Sequence, residues 1–205
     1  MTNPPTVFVV DDNAGVRKSL RALFESAELA VETYASGDEF LAAYDPDRPG
    51  CLLLDVRLRK SSGLDLQDEL RRRNATLPII ILTGHGTVPT SVRALKAGAV
   101  DFLQKPARPK LLLERVRAAL EVDRQNRAAA AEEAVVTERL AHLTPRERQV
   151  MELLLAGKSS KEIAAALGMS VRTVEGHRRR VLSKNHVSSA AQLVRAVLGA
   201  RKLRS

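Results

Sequence analysis

The chain has little that would suit a secreted or membrane protein. Its 205 residues contain a single cysteine, Cys51, which has no second cysteine with which to form a disulfide and is expected to be a small core residue. No apolar run approaches the roughly 18 to 20 residues of a membrane span. The first residues, Met1 to Pro5, lack the basic start and apolar core of a signal peptide. We therefore expect a cytoplasmic protein with no membrane partner, in a reducing compartment.

Aromatic residues are also scarce, at 3% with no tryptophan, whereas basic residues are in excess. The net charge of +9 is unevenly spread, because residues 143–205 hold thirteen Lys and Arg against four Asp and Glu. Residues 1–120 hold seventeen against fifteen, and residues 121–142 three against five. A small basic segment with few aromatic residues suits the phosphates of duplex DNA better than the bases of a single strand. Charge alone leaves a solvated basic surface as the alternative.

Four short apolar runs each stop at a polar residue. The runs and the residues that follow are Val7–Val10 with Asp11 and Asp12, Cys51–Leu54 with Asp55, Ile79–Leu82 with Thr83, and Phe102–Gln104 with Lys105. Runs of this kind indicate strands that are buried on both faces of a parallel sheet. Because the carboxyl ends of such strands line one crevice, carboxylates, a hydroxyl and an ammonium are expected to converge there. The sequence therefore predicts a cation site that contains a nucleophile.

Helix-like segments alternate with these strands through residues 1–120. The predicted helices cover residues 13–27, 36–44, 64–73, 88–96 and 109 to about 123, and residues 31–34 add an extended stretch. This alternation predicts an α/β fold, a flavodoxin-like doubly wound sheet of five parallel strands with helices on both faces. Residues 121–142 contain no glycine or proline and predict a helical linker. Whether the linker pairs with a second copy stays open.

Residues 143–205 predict a small all-α domain. Thr144 can cap a helix, Pro145 suits its first position, and Glu147 completes a capping box. The predicted helices cover residues 145–156, 160–167, 170 onward and 189 to about 198. The second and third are separated by the tight turn Gly168–Ser170, and the third is strongly basic. This arrangement is typical of a helix-turn-helix.

At these positions the chain carries several motifs of a known family. They are VVDDN with Asp11 and Asp12, LLLDVR with Asp55, ILTGHG with Thr83, KAGAVDFLQKP with Lys105, LTPRERQV, and KEIAAALGMSVRTVEGHRRRV. Together and in this order they resemble the two-component response regulators. Residues 1–120 resemble the receiver domain, and residues 143–205 resemble the LuxR/NarL-type DNA-binding domain. The combination is similar to the FixJ group.

The resemblance implies a phosphoryl-acceptor site. Asp55 would be the acceptor, since an ionised carboxylate can attack without a general base. Asp11 and Asp12 would hold Mg²⁺ together with Asp55 and the backbone carbonyl of Arg57. The metal would neutralise charge on the phosphoryl oxygens.

The resemblance also implies a switch that reports the phosphoryl group. Lys105, followed by Pro106 in a bond that is commonly cis in this family, would contact a phosphoryl oxygen. Thr83 would donate its hydroxyl and form a switch pair with Phe102. The face of the fourth helix, fifth strand and fifth helix, through which receivers dimerise, would then change shape. His85 is assigned no chemistry.

In the third helix of the basic domain, the helical period separates a core face from a DNA face. Val174 and Val181 should face the core, whereas Glu175, Gly176 and Arg179 should enter the major groove. Arg179 could read guanine, and Glu175 could accept from cytosine. The remaining DNA-binding candidates, mostly for phosphates, are Lys161, Arg172, Thr173, His177 and Lys184. For His177, a packing role is the alternative.

The chain departs from the family pattern at three places. Arg59 stands where proline is usual, which makes the loop from Arg57 to Lys60 basic. Gly176 replaces a larger residue and weakens its helix by roughly 1 kcal/mol relative to alanine. Asn185 and His186 stand where a leucine and a glycine-like cap are commoner.

The sequence thus predicts a phosphorylation-controlled transcription regulator and not an enzyme. A sensor histidine kinase would phosphorylate Asp55, the protein would form a homodimer, and two recognition helices would bind an inverted repeat in promoter DNA. RNA polymerase is a further candidate partner. One alternative is a constitutive DNA-binding regulator with a structural receiver. Another is an aspartyl-phosphate hydrolase, disfavoured because Arg57 stands where its second aspartate would be.

Overall fold

The structure is a computed structural model that describes residues 4–59, 62–84 and 86–202. The chain divides into two compact units, Met1–Asn126 and Arg127–Ser205. Across the described residues, every helix is too short or too polar to cross a lipid bilayer.

The first unit contains a five-stranded parallel sheet in the described residues. Its strands are β1 (Thr6–Val10), β2 (Ala30–Tyr34), β3 (Gly50–Leu54), β4 (Ile79–Thr83) and β5 (Asp101–Gln104), in the order β2-β1-β3-β4-β5. Its helices are α1 (Ala14–Ser26), α2 (Gly37–Ala43), α3 (Gly63–Arg72), α4 (Val88–Lys96) and the first part of α5 (Pro109–Ala141). The predicted flavodoxin-like α/β fold is confirmed.

The central strands are buried on both faces, which explains their unbroken apolar runs. In β1, Phe8 and Val10 belong to one hydrophobic cluster, and Val7 and Val9 belong to the other. Because successive side chains of a strand point to opposite faces, each run contributes to both cores. Helices then cover each face.

The strand register brings the predicted site residues to one edge of the sheet. Val10 of β1 pairs with Leu54 of β3, so Asp11 and Asp55 both lie one residue beyond that pair. Thr83 pairs with Gln104, which immediately precedes Lys105 in the chain. The convergence expected from the sequence therefore follows from in-register parallel pairing.

Helix α5 continues past residue 123 through most of the stretch that was predicted to form a helical linker. It runs unbroken to Ala141, and the boundary between the two units falls within it. In the first unit it buries Leu112, Val116, Ala119 and Asp123, which recur at helical spacing. Asp123 accepts a hydrogen bond of 2.9 Å from the backbone N–H of Gly50 and so fixes α5 to the start of β3.

The second unit contains the rest of α5 and α6 (Pro145–Leu155), α7 (Ser160–Leu167), α8 (Val171–Lys184) and α9 (Ala190–Lys202). The capping box of Thr144 and Glu147 is formed, and a second one joins Ser159 and Glu162. Gly168, with φ of 65°, ends α7 in the left-handed conformation that the tight turn to α8 requires. The predicted helix-turn-helix is therefore α7, this turn and α8.

Candidate functional site

Two buried carboxylates lie at the edge of the sheet in the first unit. Asp11 is 2% exposed and Asp55 is 9% exposed. Asp11 Oδ1 accepts a hydrogen bond from the backbone N–H of Asn13 at 2.9 Å, and Asp55 Oδ1 accepts one from the backbone N–H of Arg57 at 3.1 Å. These bonds orient both groups, because the loops that follow β1 and β3 turn back over the carboxylates.

Lys105 lies between the two carboxylates. Its Nζ donates to Asp11 Oδ2 and to Asp55 Oδ2, each at 2.5 Å. Burial lowers the pKa of Lys105, but the hydrogen bonds to Asp11 and Asp55 outweigh burial and hold that pKa above its ordinary value. The Lys105–Pro106 peptide bond is cis, and the N–H of Lys105 bonds to the carbonyl of Thr83 at 2.9 Å.

A cavity of about 320 Å³ opens beside this cluster. Its lining residues are Asp11, Asp12, Asn13, Val16, Asp55, Arg57, Leu58, Arg59, Gly84 and Lys105. Arg59 lies at the rim with 82% of its side chain exposed, and its Nε is 3.5 Å from Asp12 Oδ2. The loop that contains Arg59 therefore adds a positive charge beside the predicted metal ligands.

The donor atoms of this cavity fit a hard cation. They are the carboxylates of Asp11, Asp12 and Asp55 and the backbone carbonyl of Arg57, and oxygen ligands of this kind suit Mg²⁺. Among the described residues, no three His, Cys, Asp or Glu side chains are already gathered in a metal-binding cluster. One oxygen of Asp11 and one of Asp55 contact Lys105 instead.

Thr83 and Phe102, the predicted switch pair, both approach Gly86. Thr83 is fully buried at the end of β4, whereas Phe102 is half-buried in β5. A Cβ atom at Gly86 would lie 2.8 and 2.9 Å from two ring carbons of Phe102 and 3.6 Å from the methyl group of Thr83. A side chain at position 86 would therefore displace the ring. His85 lies outside the described residues.

Gly63 is a further residue of the site that sequence reasoning missed. A Cβ atom there would lie 2.0 Å from the backbone oxygen of Asp55, so no other residue fits without moving the backbone at Asp55. Its N–H bonds to the carbonyl of Val56 at 2.8 Å. The only sequence signal is a glycine at the start of α3, which does not reveal how close another backbone comes.

In the second unit, α8 has one buried face and one exposed face, as the helical period of its sequence predicts. Val174 and Val181 are fully buried, whereas Arg172, Thr173, Glu175 and Arg179 are exposed. Gly176 is partly exposed, and Lys161 on α7 is exposed. Lys161 and this exposed face provide the positive charge that a DNA interface requires.

Three of the residues predicted to contact DNA, Glu175, His177 and Lys184, either form hydrogen bonds or have a buried side-chain atom within the second unit. Glu175 accepts a hydrogen bond from the hydroxyl of Ser160, which also accepts from Arg178 at 3.2 Å. His177 is partly exposed, but its Nδ1 is buried and has no hydrogen-bond partner within the described part of the chain. That burial favours the packing role that was the alternative for His177.

Lys184 also has partners inside the second unit. Its Nζ donates to Glu147 Oε2 at 2.7 Å and to the carbonyl of His142 at 3.1 Å. Glu147 is 2% exposed, and its hydrogen bond with Lys184 helps to lower the pKa of Glu147 to about 2. Lys184 therefore has a structural role that its position in a basic helix did not indicate.

Comparison with protein families assigns a model to each unit. Residues 7–117 match the response regulator receiver domain, and residues 141–197 match the bacterial regulatory proteins of the luxR family. The chain is 47% identical to nodulation protein W of Bradyrhizobium diazoefficiens, with 92% of this chain and 83% of that protein covered. It is 43% identical to the transcriptional regulatory protein FixJ of Azorhizobium caulinodans, with 94% and 91% covered.

A solved structure resembles this chain along most of its length. The structure of the response regulator StyR is 40% identical in sequence and superimposes with a TM-score of 0.83. The match covers 96% of this chain and 99% of that one.

Proposed function

Because this chain belongs to the response regulator transcription factors with a receiver domain and a LuxR-type DNA-binding domain, we propose that phosphorylation of Asp55 controls its DNA binding. The observation that carries the proposal is the contact of the Asp55 carboxylate with Lys105 at 2.5 Å, because both residues line the cavity. Residues 1–120 form the receiver in this proposal, 121–142 the linker, and 143–205 the DNA-binding domain. The relatives are named as regulators, which removes the support for a hydrolase.

The phosphoryl donor in this proposal is a phosphohistidine of a sensor kinase. An oxygen of Asp55 forms a bond to phosphorus while the bond from phosphorus to the histidine nitrogen breaks, and the imidazole leaves with the electron pair. Lys105 is charged and already beside the carboxylate, so its ammonium can donate a hydrogen bond to one of the new phosphoryl oxygens. Thr83 donates its hydroxyl to the same group.

Receiver domains generally bind Mg²⁺ at the phosphorylation site, and in this chain Asp11, Asp12, Asp55 and the carbonyl of Arg57 would hold it. The support is the set of hard oxygen donors around the cavity. The ion supplies positive charge that offsets repulsion between the carboxylates and the incoming phosphoryl group. The chain itself contributes Lys105, which must share the two carboxylates with the metal.

Dimerisation through α4, β5 and α5 would follow from movement of Thr83 and Phe102. On α4, Val88, Val92 and Leu95 share one side of the helix and are 77%, 44% and 49% exposed. Apolar side chains that are exposed at this spacing favour contact with a second copy of the chain. A homodimer presents two recognition helices and would therefore bind an inverted repeat.

For DNA recognition, α8 would enter the major groove. Glu175 and Arg179 would read bases, with Gly176 between them allowing close approach. The proposed phosphate contacts are Lys161, Arg172, Thr173, His177 and Lys184. To reach a phosphate, Lys184 would leave its bonds to Glu147 and His142, and His177 would use its Nε2, because its Nδ1 is buried. RNA polymerase is the further partner expected at a promoter.

The Asp55→Asn variant tests the proposal. With acetyl phosphate and Mg²⁺, the unchanged protein should gain one phosphoryl group by mass spectrometry and bind a duplex selected from a random library more tightly. Asp55→Asn should do neither, because an amide is a poor nucleophile. Asp65→Asn, an exposed aspartate on α3, is the matched control and should behave as the unchanged protein.

Normal labelling of Asp55→Asn would overturn the assignment of the acceptor. Equal DNA affinity with and without acetyl phosphate would favour the constitutive regulator. Turnover of a generic phosphoester would restore the hydrolase alternative.

A further inference from the structure

Within the second unit, the last turns of α5 lie against the end of the recognition helix, α8. Val136 of α5 is 9% exposed, and Leu140 packs against a cluster that contains Val181 of α8. A cavity of about 380 Å³ beside this contact is lined by Glu132, Val135, Val136, Arg139, Asn185, Val187 and Ala196. The end of the predicted linker is therefore packed into the DNA-binding unit.

The C-terminal end of α8 is closed by two backbone hydrogen bonds. The N–H of His186 donates to Ser183 O at 3.0 Å, and the N–H of Val187 donates to Leu182 O at 3.1 Å. With His186 at φ of 52°, this is a Schellman motif, and Leu182 and Val187 both pack on the same hydrophobic cluster.

Asn185, one of the departures from the family pattern, has two roles at this end. Its side-chain Nδ2 donates to Val181 O at 2.8 Å, and its backbone carbonyl accepts from Arg139 Nη1 at 3.3 Å. Asn185 is only 4% exposed, so this donor from α5 satisfies a carbonyl with little access to water. A guanidinium at a helix C-terminus also interacts favourably with the helix dipole.

A second contact reinforces the first. Lys184, the last residue of α8, donates to the carbonyl of His142, just beyond the end of α5, and to Glu147 of α6. Arg148 of α6 donates to the carbonyl of Leu140 at 3.1 Å. The ends of α5 and α8 and the start of α6 are thus joined by charged side chains bound to backbone carbonyls.

We propose that Arg139 is a positioning residue for DNA recognition, which holds the last turn of α8 in place by binding the Asn185 carbonyl. The inference rests on the proposed reading of DNA by α8. Arg179 lies on α8 six residues before Asn185, which is the C-cap of that helix, so fraying of the last two turns of α8 would include the base-reading residue. Residues 127–141 then support DNA binding by α8 and do not serve only as a spacer.

The test uses Arg139→Met in the full-length protein. This change keeps an unbranched side chain but removes the donor. We expect faster hydrogen exchange at the amides of Asn185, His186 and Val187, and DNA affinity about five-fold lower for a duplex selected by the unchanged protein. Arg139→Lys, which keeps a donor and the charge, should recover part of both effects.

Arg124→Met is the matched control. Arg124 lies on the same helix in the first unit, is exposed and pairs with Glu121 at 2.6 Å, so neither measurement should change. Unchanged exchange at residues 185–187 in Arg139→Met would overturn the proposal, as would faster exchange throughout the second unit. Local exchange that changes without any loss of DNA affinity would show a purely structural contact and would also overturn it.

The exchange measurement needs no DNA, so it separates this inference from the function on which it rests. If the unchanged protein selects no duplex, DNA reading by α8 fails. If it selects one and Arg139→Met binds that duplex equally well, only the positioning role fails.

Discussion

Each unit of this protein contains a buried carboxylate that is held by a lysine, but the two clusters differ in balance. In the first unit, Lys105 serves both Asp11 and Asp55, so one positive charge faces two negative charges. In the second unit, Lys184 serves Glu147 alone, and that carboxylate also receives the N–H of Thr144 at 2.9 Å. The first cluster retains negative charge beside an open cavity, whereas the second is neutralised and closed.

This difference separates a site that can receive a ligand from a contact that holds helices together. A surplus negative charge in a partly buried cavity attracts a cation, because water there screens it less than at the surface. In the second cluster, Lys184 balances the charge of Glu147, and the Glu147 side chain is almost fully buried, so a further ligand has little access to it. We therefore attribute chemistry to the first cluster and stability to the second.

The strongest test of the comparison is Lys105→Met. It leaves Asp11 and Asp55 close together without a cation, and we expect the free energy of unfolding of the first unit to fall by about 3 kcal/mol. Millimolar Mg²⁺ should restore much of the loss. Tyrosine fluorescence during urea unfolding reports this unit selectively, because both tyrosines, Tyr34 and Tyr44, lie in it.

Lys110→Met replaces an exposed lysine at the start of α5, so it is the control and should leave the unfolding curve unchanged.

Because the pKa of Lys105 is raised in the folded protein, the stabilisation that Lys105 gives to the first unit is complete below the ordinary pKa of 10.5. It is lost as the pH rises through the higher folded value. Equal stability of Lys105→Met and the unchanged protein at pH 7 without Mg²⁺ would contradict the account.

Glu147→Gln tests the closed cluster. We expect the second unit to lose about 2 kcal/mol at pH 7, because Lys184 then faces a neutral partner. The pKa of Glu147 is lowered from 4.5 to about 2, so its contribution is present above pH 4.5 and disappears as the pH falls through about 2. Hydrogen exchange of α6 and α8 at neutral and acidic pH measures both effects.

Glu138→Gln, an exposed carboxylate on α5, is the matched control for Glu147→Gln. It should change exchange at neither pH. A loss in Glu147→Gln that persists undiminished at pH 2 would show that the carboxylate charge is not the cause.

His186→Gly sharpens the contrast by stabilising only the second unit. A residue other than glycine pays roughly 1 kcal/mol for the left-handed conformation that His186 adopts, so we expect a gain of about that size, less a part lost to unfolded-chain entropy. Slower exchange of α8 amides would show it. Asn74→Gly, at φ of 54° in the first unit, should gain less because asparagine tolerates this conformation. An equal or larger gain at Asn74 would argue against the steric explanation.

The smallest expected effect concerns Arg59 at the rim of the open cluster. Arg59→Ala removes a positive charge 3.5 Å from Asp12, and we expect Mg²⁺ to bind about two- to five-fold more tightly by calorimetry. The control is Arg71→Ala, which removes an exposed arginine paired with Asp68 on α3. Unchanged or weaker Mg²⁺ binding in Arg59→Ala would show that this arginine does not compete with the metal.

Much of the fold could be predicted because local patterns and burial agree. The apolar runs that end at Asp11, Asp55, Thr83 and Lys105 form strands, and parallel pairing brings their ends together. Val174 and Val181 are buried as their spacing predicts. The site residues named from the resemblance lie at the predicted edge, although their chemical roles stay predictions.

Contacts between distant segments could not be predicted in the same way. The bond from Gly50 to Asp123 joins residues 73 positions apart, and the close approach of Gly63 to Asp55 depends on how a loop folds back. Lys184 has the sequence context of a phosphate-binding residue, yet it donates to Glu147. A pattern of residue types does not specify which of several oxygen acceptors a long basic side chain will reach.

The sequence by itself determined the fold class of each unit, the succession of strands and helices along the chain, and the types of residue at the proposed acceptor site. These follow from hydrophobic period, caps and motifs, which act over a few residues. Only the tertiary structure decided that Lys105 bonds to both Asp11 and Asp55, that Lys184 bonds to Glu147, and that Arg139 reaches the C-terminal end of α8. Such pairings depend on which backbones approach each other, and that is fixed by packing of the whole unit.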